Sequence, residues 1–228
     1  MIPIADLLED EQAHLERTGH PLITLSYAQS LDGSLAARQG QPLALSGEGS
    51  LKLTHQLRAA HQAILVGIGT VLADDPQLTV RHGKGSNPQP VVLDSRSRFP
   101  LDARLLKGPK KPWLFTAIGV NLEAKERLRS AGAEVFEIET NEGGQVRLDK
   151  ALNRLGEKGI SSLMVEGGAA VITSFLQEGL ADLLVLTIAP VYIGGYNAVQ
   201  TSLPKHVKIK AVDIAMVGND IVLWGRLA

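Results

Sequence analysis

The 228-residue chain predicts a single α/β domain built on a mostly parallel sheet with helices on both faces. Three observations carry that prediction. Between residues 91 and 189, short apolar or β-branched runs alternate with segments at helical spacing, the pattern of parallel strands joined by crossover helices. Two apolar runs, residues 63–66 and 162–165, lead straight into glycines, Gly67-Ile68-Gly69 and Glu166-Gly167-Gly168, as strand-to-helix turns do. The tail holds two strand-like runs, 208–217 and 221–227, around Gly218-Asn219-Asp220, a hairpin signal that adds antiparallel strands at an edge.

Each element has a local reason. Residues 21–29 are rich in β-branched and aromatic side chains and predict a first strand, stopped by the turn Ser30-Leu31-Asp32-Gly33. Residues 38–41 form a polar loop. Ser46 is placed to cap a helix running to Ala60, with Glu48 in its first turn and Leu53, Leu57 and Ala60 on one face. Residues 63–66 read as a buried strand, followed by a short helix toward Leu72 that Asp74-Asp75-Pro76 breaks. The Gly/Pro/Asn-rich stretch 81–90 is a loop rather than a linker, because strand signals resume at 91–93 and 113–116. Asn121 caps a helix to Ala131 that Gly132 closes, and 134–138 is a strand. Asp149 caps a helix to Glu157 closed by Gly159; a strand at 162–165, a helix to Leu176 and a strong strand at 183–189 follow. Residues 1–18 form a helical appendage, packed on the surface or on a partner subunit, ahead of one domain over 19–228.

Composition narrows the function. With 23 Lys+Arg against 24 Asp+Glu, the chain has neither the basic excess nor the basic stripe of a nucleic-acid binder. The absence of cysteine excludes disulfides, thiolate metal sites and a Cys nucleophile. No apolar run approaches the ~18 residues of a membrane span. The acidic start lacks the basic and apolar regions of a signal peptide, which points to a cytoplasmic protein.

Several groups carry possible chemistry. At both strand–glycine junctions a helix N-terminus offers unpaired N–H groups, and glycine lets a ligand approach the backbone. Each is either half of a dinucleotide cradle or an ordinary tight turn, since neither completes the Rossmann fingerprint. Glu166 ends a buried strand, at the edge where open α/β sheets bind ligands; it meets a substrate donor there or simply faces solvent. Arg58 and Arg81 flank the Gly67–Asp75 stretch, as an anion clamp or as two surface arginines. Ser95-Arg96-Ser97-Arg98 either holds the 2′-phosphate of NADP or is solvated surface. Asp74-Asp75-Pro76 reads as a helix stop. The six histidines (14, 20, 55, 61, 82 and 206) have no ligand spacing, so no metal is expected.

The segments Ser30-Leu31-Asp32-Gly33 and Leu57-Arg58-Ala59 belong together with the long run Gly67-Ile68-Gly69-Thr70-Val71-Leu72-Ala73-Asp74-Asp75-Pro76-Gln77-Leu78-Thr79-Val80-Arg81. Val91-Val92-Leu93-Asp94-Ser95, Arg98-Phe99-Pro100-Leu101, Glu166-Gly167-Gly168 and Ala189-Pro190-Val191-Tyr192-Ile193-Gly194-Gly195 complete the set. From about residue 21 onward, this pattern resembles the pyrimidine reductase of riboflavin biosynthesis, the reductase part of the bifunctional deaminase–reductase family.

The resemblance implies a dihydrofolate-reductase-like fold, a homodimer and NADPH as cofactor. It implies reduction of a ribosylaminopyrimidine 5′-phosphate to the ribityl form, through the ring-opened, imine-like sugar. The substrate is 5-amino-6-(5-phosphoribosylamino)uracil or its 2,5-diamino precursor. Cofactor positions carried over are Ala28, Ala44, Gly67, Gly69, Thr70, Asp74, Ser95, Gly167, Gly168, Ala169, Ala170, Val171, Ile172, Thr173 and Ser174. Substrate positions are Pro42, Arg58, Leu78, Arg81 and Glu166, with the arginines on the 5′-phosphate. Asp32 and Glu166 are the acids considered as catalytic proton carriers.

Departures from the family pattern are informative. The chain lacks the cysteines of the deaminase zinc site and the length for that domain, so a stand-alone reductase is expected. Ser26 stands where many two-domain members carry Lys, and Ala44 where a Trp is frequent. Two other readings are a reductase of a pterin or dihydrofolate, which lacks a phosphate for the clamp, and a non-catalytic nucleotide-binding module. The apolar stretch 183–191, taken as exposed, favours a homodimer.

Overall fold

The computed structural model describes residues 2–228. In chain order the elements are α1 (Ile4–Leu7), α2 (Glu11–Thr18), β1 (Leu22–Ser30), β2 (Ser34–Ala36), α3 (Glu48–Ala60), β3 (Ala63–Gly67), α4 (Ile68–Asp74) and β4 (Gln89–Leu93). There follow a 3-10 turn (Arg104–Lys107), β5 (Trp113–Ala117), α5 (Leu122–Ser130), β6 (Glu134–Ile138), α6 (Leu148–Glu157), β7 (Ser162–Gly167), α7 (Ala169–Gln177) and β8 (Leu183–Ala189). The chain ends with β9 (Tyr196–Asn197), β10 (Ile209–Val217) and β11 (Asp220–Leu227).

Among the described residues, nine strands form one sheet in the order β10-β11-β8-β1-β7-β3-β4-β5-β6. The seven strands from β8 to β6 are parallel, and β11 and β10 close one edge antiparallel. This is the expected mostly parallel sheet with a C-terminal hairpin. Its strands read as near-continuous apolar runs because both faces are covered. Successive side chains point to opposite faces. Ile64, Val66 and Met164 join Leu53 and Leu57 of α3, Ile68 and Val71 of α4 and Leu128 of α5 in one core layer. Ala63, Leu65, Leu163 and Val165 join Ala151, Leu152 and Leu155 of α6 and Val171, Ile172 and Phe175 of α7 in the other. No helix among the described residues is long and apolar enough to cross a membrane.

Some local expectations change. Ser46 does not cap α3; Gly47 is the N-cap, and its N–H donates to Asp220 Oδ2 at 2.8 Å. No side chain caps the first turn of α3; the Asp220 carboxylate of β11, distant in sequence, instead anchors the N-cap residue itself. Ala60 is exposed rather than on the core face. Asp149 lies inside the first turn of α6 and pairs with the N-cap residue Arg147 at 2.7 Å. Asn121 behaves as expected, accepting from Glu123 N–H at 2.7 Å and Ala124 N–H at 3.4 Å. The N-terminal segment is two short helices, and Ile2 and Leu8 are buried against the core. Most of the stretch 183–191 is not exposed: β8 is interior, paired with β1 and β11, and Leu183, Leu184 and Val185 are buried, while Pro190 and Val191 beyond the strand are exposed. The short ribbon of β2 and β9 had no signal in the sequence, because its partners are far apart in the chain.

Candidate active site

Strand order creates the site. From β3 the chain leaves through α4 toward β4, β5 and β6; from β7 it leaves through α7 and returns at β8, on the far side of β1. The adjacent C-terminal ends of β3 and β7 therefore send their helices in opposite directions and leave a crevice, the usual ligand position in an open α/β sheet. Two clefts open there, of about 540 Å³ and about 410 Å³. Both are walled by Gln39, Gly67, Gly69, Ala170 and Val171, so they form one groove with a shared waist.

Close packing explains the glycines at the waist. A Cβ on Gly67 would lie 2.8 Å from Val171 Cγ2, and one on Gly168 would lie 2.9 Å from Thr70 Oγ1. Thr70 Oγ1 also donates to Gly167 O at 3.3 Å, latching the two strand-to-helix turns together. Gly69 is different: a Cβ there meets nothing within 4 Å, so its backbone faces open groove. The N-terminus of α7 has no side-chain cap, and Gly168, Ala169 and Ala170 at its start line the first cleft. Small residues around uncapped N–H groups fit a phosphate-bearing cofactor.

The first cleft gathers most of the sequence-derived cofactor positions: Ala28, Gly67, Gly69, Thr70, Asp74, Gly168, Ala169, Ala170, Val171 and Ile172, together with Pro42 and Glu166. Burial pushes the Asp74 carboxyl above its ordinary range. The second cleft has Ser95, Arg96, Arg98 and Ser174 in its wall. Ser95 Oγ accepts from Val146 N–H at 2.9 Å, which joins the loop after β4 to the turn before α6. Ala44 is exposed and outside the lining of both clefts. Thr173 is also outside it: its hydroxyl accepts from Gln200 N–H at 3.0 Å and secures the segment after β9.

The acids and arginines take roles that the spacing did not foresee. Glu166 Oε1 accepts from Arg58 Nε at 2.5 Å and Oε2 from Arg58 Nη2 at 2.7 Å, a bidentate pair with both side chains largely buried. Arg58 Nη1 donates to Thr79 O at 3.1 Å. The guanidinium is thus directed at protein acceptors: Arg58 holds Glu166 and Thr79 O, which leaves Arg81 as the arginine with the freer head group. Arg81 is the exposed arginine, tied through Nη1 to Gln77 Oε1 at 3.1 Å. Burial lowers its pKa first, with the nearby positive charges of Arg58 and Arg104 adding to the effect. That local excess of positive charge suits an anion. Leu78 lies outside the lining of both clefts, its side chain buried in the core, and its φ of 51° marks a strained turn.

Asp32 is corrected more strongly. It accepts from Ser30 Oγ and Ser34 Oγ, each at 2.7 Å, and from the N–H groups of Ile193 and Gly194 at 2.9 and 2.8 Å. These bonds, the Ser30 hydroxyl foremost, hold its carboxyl well below the usual carboxylate range. Such a group carries no proton to donate. It pins the loop after β8 to the turn after β1. Because its folded pKa is lowered, its stabilising contribution is complete above the ordinary Asp range and is lost only as pH falls below it. Asp32→Asn is expected to lower the thermal midpoint while leaving the pH dependence of kcat unchanged; a lost ionisation in that profile would restore the proton-carrier role.

Other wall residues escaped the sequence reading: Gln39, Gly40, Gln41 and Leu43 of the loop after β2, Tyr27, Tyr196 of β9, and the Asn141–Gln145 turn. The loop residues among them carry no periodicity, Tyr27 and Tyr196 sit on strands, and only tertiary packing brings them all to the groove. Among the described residues no group of three or more His, Cys, Asp or Glu gathers as a metal site.

With this geometry in view, comparison with known proteins is decisive. Residues 21–223 match the model of the RibD C-terminal domain. The chain belongs to that family. A 2,5-diamino-6-ribosylamino-4(3H)-pyrimidinone 5′-phosphate reductase from Archaeoglobus fulgidus is 38% identical over 188 residues, covering 78% of this chain and 84% of the relative. The riboflavin biosynthesis protein RibD of Bacillus amyloliquefaciens is 41% identical over 184 residues, which are 80% of this chain but 49% of that protein. The chain thus matches about half the length of the Bacillus protein. Among solved structures, Acinetobacter baumannii RibD superposes with a TM-score of 0.85 at 28% identity, over 98% of this chain and 62% of that one. The Saccharomyces riboflavin biosynthesis reductase Rib7 superposes with a TM-score of 0.78 at 29% identity, over 99% of both chains. As a RibD C-terminal domain, the chain is a member of a reductase family of riboflavin biosynthesis.

Proposed function

We propose that this RibD C-terminal domain reduces a ribosylaminopyrimidine 5′-phosphate to its ribitylamino form with NADPH. The observation that carries the reading is the single two-part groove across the ends of β3 and β7, which suits an extended dinucleotide beside a second ligand. Bound there, NADPH supplies the hydride, and the protein supplies binding and orientation. The start of α7 and Gly69 would hold phosphate oxygens. Ser95, Arg96 and Arg98 in the second cleft supply the charge and hydroxyl that favour a 2′-phosphate, hence NADPH over NADH.

On the substrate side, Glu166 presents its remaining lone pairs to donors of the pyrimidine, while Arg58 fixes the plane of the carboxylate. Arg81, with Arg104 beside it, receives the 5′-phosphate and contributes the remote binding energy that aligns the sugar carbon. Asp74 lines the first cleft, and partial desolvation raises its carboxyl pKa from the ordinary value although the side chain stays exposed; it is a cleft acid to test in place of Asp32. Arg81→Ala is expected to raise the substrate KM by roughly 10–100-fold, the value of a charge-assisted contact, with kcat within a few-fold. An unchanged KM would remove Arg81 from the phosphate site.

The reading includes a homodimer. Ile214 pairs with Leu223 and Met216 with Ile221; Leu223 pairs in turn with Leu186 and Ile221 with Ile188. These rows form an apolar patch on the hairpin end of the sheet, where Ile214 and Met216 are exposed. Ile214→Asp is expected to shift sedimentation from dimer to monomer; an unaltered dimer would place the interface elsewhere.

The test of the activity follows NADPH absorbance with the diamino substrate and with its deaminated counterpart. Oxidation with the diamino form alone places reduction before deamination, and oxidation with the deaminated form alone places it after. Oxidation with neither, by folded protein, defeats the proposal and favours a pterin substrate or a binding role.

A further inference from the structure

The segment after α4 is held in an unusual way. Leu78 is buried and adopts a left-handed backbone conformation. Each of the next three residues is then fixed by one side chain. Thr79 O accepts from Arg58 Nη1 at 3.1 Å, Val80 N–H donates to Asn87 Oδ1 at 2.8 Å, and Arg81 N–H donates to His55 Nδ1 at 3.0 Å. Two of the three holders, His55 and Arg58, lie three residues apart on α3 and so share a helix face. Beyond this backbone grip, the Arg81 guanidinium has one protein partner among the described residues, the half-buried Gln77.

We propose that His55 is a positioning residue for substrate phosphate, acting through the backbone of Arg81. It is fully buried, and its ring packs edge-on against His82 with centroids 4.8 Å apart, so its orientation is set by packing. To accept from the Arg81 N–H, Nδ1 must be unprotonated, which places the ring proton on Nε2, a buried atom without a hydrogen-bond partner among the described residues. Burial, assisted by the charges of Arg58 and Arg81, pushes its pKa down to about 4, so the accepting form persists across the neutral range. A cationic His55 would lose this bond and add a third positive charge next to two arginines. The imidazole therefore serves as a rigid, neutral acceptor. It converts the position of α3, which also carries the Arg58–Glu166 pair, into the position of the phosphate-binding arginine. The two ends of the substrate, base and phosphate, are in this way referenced to one helix.

This inference rests on the reductase reading, and its test keeps the two separable. The substrate KM and kcat are measured for wild type, Arg81→Ala, His55→Phe, His55→Leu and His55→Asn, with the phosphorylated ribosylaminopyrimidine and with its dephosphorylated form. His55→Phe and His55→Leu both remove the acceptor, so either one that folds gives the comparison. His55→Asn retains an oxygen near the place of Nδ1. The expected result is a rise of about tenfold in KM for the phosphorylated substrate in the acceptor-less variants, with kcat within twofold and the NADPH KM unchanged. Asn restores most of the affinity, the dephosphorylated substrate shows no effect, and His55→Phe adds less than twofold in the Arg81→Ala background. A normal KM in a folded acceptor-less variant, or an equal loss with the dephosphorylated substrate, overturns the role of His55 while Arg81→Ala remains impaired. If wild type oxidises no NADPH with either substrate, it is the reductase reading that fails.

Discussion

Glu166→Ala is expected to cost about 3–5 kcal/mol of folding stability and at least a hundredfold in kcat/KM. The stability loss follows from what remains behind. Arg58 is largely buried, and Glu166 accepts two of its three protein hydrogen bonds. Removing the carboxylate leaves a buried guanidinium uncompensated, with the like charge of Arg81 nearby. Replacing both partners by apolar residues of similar size removes that penalty. The double variant Arg58→Met/Glu166→Leu is therefore expected to recover much of the stability and none of the activity. Urea denaturation and steady-state kinetics on the same preparations check both halves. A double variant as unstable as the single one would mean that the pair, rather than the orphaned charge, dominates. A double variant with wild-type kcat/KM would remove the pair from the site.

Gly168→Ala is expected to weaken NADPH binding by tenfold or more and to destabilise the fold by about 1–3 kcal/mol. Gly168 has φ 81° and ψ 136°, a region that only glycine occupies without strain. Its added Cβ would also press on Thr70 Oγ1, 2.9 Å away, and so spread the two turns at the waist of the groove. Gly179→Ala separates strain from blockage. Gly179 has φ +64°, but a Cβ there meets nothing within 4 Å, so that variant should lose some stability and keep its NADPH affinity. Fluorescence titration of NADPH with the two variants reads the difference. Equal cofactor affinities would mean that the Gly168 turn is architectural and does not touch the ligand.

Legibility in the sequence followed the range of the forces involved. The strands at 134–138 and 183–189 and the cap at Asn121 are set by side chains within a few residues of each other, and their boundaries were readable. The glycines of the waist were readable as turns, but not as the contacts Gly67–Val171 and Gly168–Thr70, which need two crossovers to form. The start of α3 is anchored by Asp220, 173 residues away, which accepts from Gly47 N–H, and no local pattern could point to it. The same holds for chemistry. The resemblance placed both Arg58 and Arg81 on the 5′-phosphate and Glu166 on the substrate, and Asp32 was considered with Glu166 as a proton carrier; it could not show which of these groups the fold binds to each other. Geometry assigns Glu166 and Arg58 to each other and Asp32 to a structural knot, and leaves Arg81 facing outward. The homodimer expectation rested on the resemblance and on residues 183–191, whose hydrophobicity reflects burial of β8 in the sheet; the exposed apolar side chains of the hairpin, Val212, Ile214 and Met216, lie on β10.

The most direct measurement is a crystal structure of the protein soaked with NADP⁺. The account predicts one cofactor lying along the whole groove, its pyrophosphate at the start of α7 by Gly168 and Ala169. The 2′-phosphate would lie by Ser95, Arg96 and Arg98, and the nicotinamide in the first cleft on the side of Glu166. A cofactor bound away from the ends of β3 and β7, or one whose adenosine end leaves the second cleft empty, would contradict it.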